Sequence, residues 1–292
     1  LSTRCYRNKT EYKCVVRTSD AVLVVENLEM LGETKRIPLK NVKEVTRLPD
    51  GRLEIKTVDG DVVNMLINEL VRKDIEYFTF LYYFTKEQQN IRETIMRNLH
   101  NYIFLVQPAF KIFQTLTKGN IPQWEFYREL IKELQDFNDI LSSLGMNELS
   151  EALAKYVKTF ASSVERRSVS SLVNSLKNYV KFLTAYFSSL LRETIKYFDP
   201  SYFVDLTLIA YIYFYSKSLG LPLQAERARR DFEHIAQEQV LKLGLLDELL
   251  KERITLAMKL LLQTSRGPEE IPQRLMDIIG EEINRYVLQT QH

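Results

Sequence analysis

The spacing of apolar residues changes period once along this chain, near Asn68. Before that point hydrophobic and polar residues alternate in short runs. In "RLEIKTV", Leu53 and Ile55 fall on one face and Glu54 and Lys56 on the other, as a half-buried strand requires. "YKCVVRTS" (12–19), "AVLVVE" (21–26), "KRIPL", "VKEVTRL" and "DVVNMLI" also read as strands, several of them rich in β-branched residues. Turn signals separate these runs. Ser19-Asp20 suits a turn, and Pro49-Asp50-Gly51 sets a fixed φ ahead of a permissive glycine. Asp59-Gly60 predicts a type I′ turn, with φ > 0 at both central positions. About six or seven strands with short antiparallel connections are expected.

After Asn68 the apolar residues recur every three to four positions. Ile91, Ile95, Leu99 and Ile103 form one stripe at i, i+4 steps. Helices are predicted over 68–88, on to Val106, and over 121–145, 147–164, 171–198, 201–220, 224–244, 245–265 and 272–289. The aromatic run 77–84 fits strand spacing as well. Pro122 is expected at a first helical position, Asn147 as an N-cap, and Gly145, Gly220 and Gly267-Pro268 as stops. Short connections imply antiparallel neighbours.

Composition sharpens this picture in three ways. Nine glycines and eight prolines in 292 residues favour long uninterrupted helices. A net charge of +2 gives no global attraction to nucleic acid or acidic lipid. The most apolar stretch, "LTLIAYIYFYS" (206–216), would rise only about 16 Å as a helix, so it reads as buried rather than membrane-spanning. "LSTRCYRNK" has no apolar run of the kind a signal peptide carries, and a cytoplasmic location is expected. A hairpin over "CYRNKTEYKC" would bring Cys5 and Cys14 face to face, although that compartment favours a reduced pair.

No stretch carries a recognisable chemistry. G-x-G-x-x-G, G-x-x-x-x-G-K-[ST] and G-x-S-x-G are all absent, which argues against Walker-type nucleotide hydrolysis and nucleophile-elbow hydrolases. Asp231, His234 and Glu238 lie at a spacing that suits metal ligands, but a di-metal bundle needs two E-x-x-H units and further carboxylates. The plainer reading is a solvated helix face on which Arg227, Arg229 and Arg230 pair with Asp231 and Glu233. Trp124 reads as a core staple. No cofactor, metal or catalytic residue is assigned.

One charge asymmetry stands out. Lys155, Lys158, Arg166, Arg167, Lys177, Lys181, Arg192 and Lys196 face only Glu165 and Glu193 over the same stretch. Lys177 and Lys181 sit one helical turn apart, and Ser168, Ser170, Ser171 and Ser175 add hydroxyls. Such a patch suits phosphates or an acidic protein surface, although a solvated face neutralised elsewhere would look the same.

The N-terminal order of strands, with "RIPLKNVKEV" and "RLEIKTVDGDVV" followed by an amphipathic helix, resembles a pleckstrin-homology or GRAM-type module. Archaeal chemotaxis adaptors look similar at their N-terminal end. The resemblance covers about residues 10–90, and residues 91–292 are not matched to the C-terminal part of those adaptors. It implies a module that docks partners through strand edges and loops, and in some cases phosphoinositides through basic residues of the first hairpin. Arg7, Lys9, Lys13 and Arg17 lie there, without the R-x-R pair of the lipid motif. The expectation is an α+β, mostly helical protein. Residues 1–90 would form a small antiparallel β-barrel or sheet with its helix, and 91–292 a multi-helix bundle. Its expected role is a non-enzymatic adaptor for partner proteins, the alternatives being nucleic-acid binding through Lys155–Lys196 or association with an anionic membrane surface.

Overall fold

In the computed structural model the described residues are 2–85, 88–119, 122–195, 198–242 and 245–290; the expected cation Lys196 lies outside them. Seven antiparallel strands come first: β1 (Ser2–Arg7), β2 (Thr10–Ser19), β3 (Val22–Asn27), β4 (Thr34–Pro38), β5 (Val42–Arg47), β6 (Arg52–Thr57) and β7 (Val62–Leu66). They form one curled sheet in the order β4-β3-β2-β1-β7-β6-β5. Period-2 alternation sets the inside face: Cys14, Val16, Leu23, Val25, Leu53, Ile55, Val63 and Met65 are buried while their neighbours face outward.

The turns differ from expectation in an instructive way. At Asp59-Gly60 only Gly60 has positive φ, at 85°. Gly60 N–H donates to the Thr57 carbonyl and Thr57 N–H to the Asp61 carbonyl, and Gly51 and Leu48 repeat this pattern with Leu48 and Arg52. Both are longer hairpins in which glycine takes the single left-handed position after an ordinary turn. The two-residue turns with φ > 0 at both centres are instead Asn8-Lys9 (48° and 71°) and Asp20-Ala21 (50° and 58°). Asn and Asp tolerate the left-handed region and so open these turns without glycine.

The hairpin β1–β2 also corrects the reading of its cysteines. Its register sets Cys5 opposite Tyr12 and Cys14 opposite Thr3, so the two cysteines are diagonal neighbours on the buried face. Their Cα atoms are 5.8 Å apart and the sulfurs are bonded, not reduced.

Nine helices follow among the described residues. They are α1 (Arg72–Phe84), α2 (Gln89–Thr117), α3 (Trp124–Ser143), α4 (Asn147–Glu165), α5 (Val169–Thr194), α6 (Tyr202–Ser218), α7 (Pro222–Lys242), α8 (Glu248–Thr264) and α9 (Ile271–Gln289). The aromatic run 77–84 is helical, because α1 buries Ile75, Tyr77, Phe78, Phe80, Leu81, Tyr82 and Phe84 on more than one side. α2 continues well past Val106, through Pro108, since Ala109 and Ile112 keep the buried stripe going. The carbonyl that loses its partner belongs to Phe104, a half-exposed residue.

α3 starts two residues after Pro122. Asn147 is the first helical residue of α4 rather than its cap, because Met146 and Gly145 are already used to close α3 by bonds to Leu141 and Ser142. Asp247 does cap α8, accepting from Leu250 N–H at 2.8 Å.

α1 joins the sheet to the rest. Asp74 accepts from Thr18 N–H at 2.7 Å, and the hydroxyls of Tyr82 and Tyr83 donate to the carbonyls of Lys43 and Val45 on the edge strand β5. On its other side Tyr77 meets Tyr286 of α9 at 3.1 Å, and Phe80 packs edge-on against Phe198. Buried residues from Cys5 to Val287 form one cluster. α6 is buried over most of its length, and no helix among the described residues is long and apolar enough to cross a membrane.

Candidate functional site

The basic stretch folds into the antiparallel pair α4–α5. α4 buries Leu149, Leu153, Val157, Phe160 and Val164; α5 buries Leu172, Leu176, Tyr179, Leu183 and Phe187. Aromatic rings lock the pair: Tyr156 lies 5.5 Å from Tyr179 and 5.3 Å from Phe182, and Phe160 packs edge-on against Tyr179. Tyr179 reaches through to α2, donating to the Leu105 carbonyl at 2.8 Å, and burial pushes its phenol far above the ordinary range.

The turn is only three residues long. Ser168 N–H bonds the Ser163 carbonyl and Arg167 N–H the Val164 carbonyl, which closes α4. Arg167 holds the left-handed position at φ 51°, where glycine would be less strained. Ser168 then caps α5, accepting from Ser171 N–H.

With the apolar stripes turned inward, Lys155, Lys158, Arg166, Arg167, Lys177 and Lys181 are all exposed. None of the six enters an ion pair among the described residues, although seventeen such pairs occur there. The reason is compositional: between Glu151 and Glu193 the only acidic residue is Glu165. Three of the six are brought together along a groove between the helices. Near the turn it is lined by Lys158, Ser162, Arg166, Ser171 and Asn174, a space of about 540 Å³. It continues past Thr159 and Ser175 to Tyr156, Asn178, Lys181 and Phe182, with a similar volume. Lys155, Arg167 and Lys177 stand outside this lining. Arg192 is turned back to the Ser188 carbonyl.

The groove can offer cationic heads, hydroxyls and amides to an extended anion, with two ring edges at one end. Sequence reasoning found its cations and serines but not Thr159, Asn174 and Asn178. A signal for them exists: Ser171, Asn174, Ser175, Asn178 and Lys181 repeat at helical spacing beside the apolar stripe.

The first hairpin behaves differently. Arg4 pairs with Glu11 at 3.3 Å, Arg17 with Glu26 at 3.1 Å, and Arg7 with Glu33, leaving Lys9 and Lys13 without ion pairs among the described residues. Arg7 and Glu33 line a cleft of about 350 Å³ at one end of the sheet together with Tyr6, Tyr12, Lys35 and Asp61. Lys35 and Asp61 meet there at 2.9 Å.

A further groove of about 550 Å³ lies between α2 and α9, where Arg92, Arg97 and His100 stand over Met96 and Met276. Arg92 lies across Gly280 of α9, where a side chain would collide with its guanidinium, and donates to the Met276 carbonyl. Sequence reasoning missed it, since its two walls are far apart in the chain.

On α7 the pairing partly departs from expectation. Arg229 bonds Glu226 and Glu233, and Arg230 also bonds Glu226, whose carboxyl is pulled down to about 2 by the two guanidiniums. Arg227 and Asp231 enter no ion pair among the described residues, whereas Glu226 sits a turn before both Arg229 and Arg230 and holds them together. His234 and Glu238 approach to 3.4 Å on the exposed face, and no group of three metal-ligating side chains occurs among the described residues. Trp124 is half-buried, edge-on to Tyr127. Compared with protein-family models, characterised proteins and solved structures, the chain matches none.

Proposed function

We propose that the protein is a non-enzymatic adaptor whose exposed basic face on α4–α5 receives an acidic segment of a partner protein, with the curled sheet as a second docking surface. The observation that carries this reading is the set of six exposed cations on one helical hairpin, none of which enters an ion pair among the described residues. Unpaired surface charge is retained at little stability cost and gives both steering and specificity toward a complementary partner. Arg167 adds to the case, since it keeps a charge at a backbone position that favours glycine. The sheet closed by α1 is in keeping with the pleckstrin-homology or GRAM-type resemblance, and its edge strand β4 has no strand neighbour on its outer side.

A second reading is nucleic-acid binding at the same groove, favoured by the hydroxyls and amides of Thr159, Ser162, Asn174 and Asn178 beside Tyr156 and Phe182. Association with anionic membranes has less support, because Arg7 and Arg17 of the first hairpin are already paired. We place the protein in the cytoplasm. A disulfide whose two cysteines are fully buried is shielded there from attacking thiolates.

The test is affinity capture with the full chain and with the Lys158→Glu, Lys181→Glu variant, at physiological salt and with nuclease treatment. The adaptor reading expects a distinct protein held by the wild type, lost from the variant and indifferent to nuclease. Recovery dominated by nucleic acid, abolished by nuclease or by raised salt, would replace it with the second reading.

A further inference from the structure

We infer that the protein self-associates through the outer face of α8, two copies packing antiparallel about a two-fold axis. This rests on different residues from the adaptor reading and stands independently of it.

α8 lies at the periphery, packed on α7 and α9 through Leu250, Ile254, Met258, Leu261 and Leu262. Its opposite side carries Leu249, Leu256 and Leu260, with exposures of 54%, 61% and 46%. Single exposed leucines are ordinary, but these three are spaced by seven and four residues and so line one stripe of the helix. Leu246, just ahead of the cap, is exposed as well, at 38%. A straight apolar stripe on a rigid helix fits another helix better than a lipid surface or a small ligand.

Charge decides the occupant. Beside the stripe, on one flank, Glu248 and Glu252 lie in the first half of α8 and Lys259 in the second. Glu252 and Lys259 enter no ion pair among the described residues, and Glu248 is shared only with Lys251 while remaining largely exposed. In an antiparallel pair the same flank faces itself with its direction reversed. Setting Leu249 opposite Leu260 of the second copy places Lys259 level with the gap between the second copy's Glu248 and Glu252. A parallel pair would instead turn this flank toward the second copy's opposite flank, and Lys259 would meet neither Glu248 nor Glu252. Arg253 lies near the axis on the other flank, where its guanidinium is drawn away toward Gln289 of α9. Only the antiparallel orientation thus matches Lys259 with the two glutamates of the second copy.

Sedimentation velocity on the full chain tests the association. We expect a concentration-dependent dimer, and Leu256→Glu, at an exposed site that leaves the fold intact by circular dichroism, should raise its dissociation constant about tenfold or more. Glu252→Lys and Lys259→Glu should each weaken the dimer, and the two together should restore it. Orientation is read by cross-linking, since both native cysteines are tied up in the Cys5–Cys14 disulfide. Chains carrying Leu249→Cys should cross-link to chains carrying Leu260→Cys. Neither should cross-link to itself, because like positions would lie about 16 Å apart along the axis. A chain that stays monomeric, a dimer indifferent to Leu256→Glu, or self-cross-linking at position 249 would overturn the inference.

Discussion

Two hairpins of this molecule are rich in basic residues, and they use them in opposite ways. On β1–β2 and its neighbours, Arg4, Arg7 and Arg17 each find a carboxylate supplied by another strand or loop, and the buried Cys5–Cys14 bridge fastens the hairpin from inside. On α4–α5 the cations are as dense, yet none of the six is paired among the described residues, because between Glu151 and Glu193 the two helices carry a single acid, Glu165. Charge density along a sequence is therefore not charge availability. In the sheet, adjacent strands supply partners from distant positions; on this helical hairpin neither its own helices nor their neighbours supply one among the described residues.

The strongest way to probe this contrast is to remove the staple. Replacing both cysteines by alanine should cost about 2–3 kcal/mol of unfolding free energy in urea titrations. Partner binding at α4–α5 should be untouched, and a parallel loss of binding would show the two hairpins to be coupled. Next, charge reversal at Lys158 and Lys181 should weaken capture of the acidic partner about tenfold, or about 1.4 kcal/mol. Reversal of Arg4 and Arg17 should change it less than about twofold, since those charges are already spent on neighbours. Equal losses from both pairs would erase the distinction.

Arg167→Gly should go in two directions at once. Relief of the left-handed backbone outweighs the added chain entropy and should raise stability by about 0.5 kcal/mol, while binding falls. A variant that is no more stable would mean the strain is absent. The smallest effect is expected at an exposed pair: Glu11→Gln should alter stability by less than about 0.5 kcal/mol, measurable by the same urea titration.

Much of the fold was legible in the sequence because it is local. Alternation in "RLEIKTV" and i, i+4 spacing from Ile91 to Ile103 each depend on residues a few positions apart, so strands and helices emerged in order. The errors came where the local signal was answered by something beyond the run of residues that carried it. The run read as helical stops at Val106, but Ala109 and Ile112 beyond Pro108 had core to fill. Asp59-Gly60 suggests a two-residue turn, but the strand register made a longer one with glycine in a different role.

The six cations were visible as a run of charge, but whether an acid from elsewhere would neutralise them was not. Nor could the run reveal that Lys158, Arg166 and Lys181 would share one groove while Lys155, Arg167 and Lys177 would not. The sequence by itself determined the class of the protein, the order of its elements with most of their ends to within a few residues, the end of α2 excepted, and which faces are apolar. Those properties follow from backbone geometry acting over a turn or a pleat. Tertiary structure alone decided that Cys5 and Cys14 are joined, that Tyr77 meets Tyr286, and that the basic hairpin stays unpaired. Each depends on which distant residue arrives at a given point in space, and no local period encodes that.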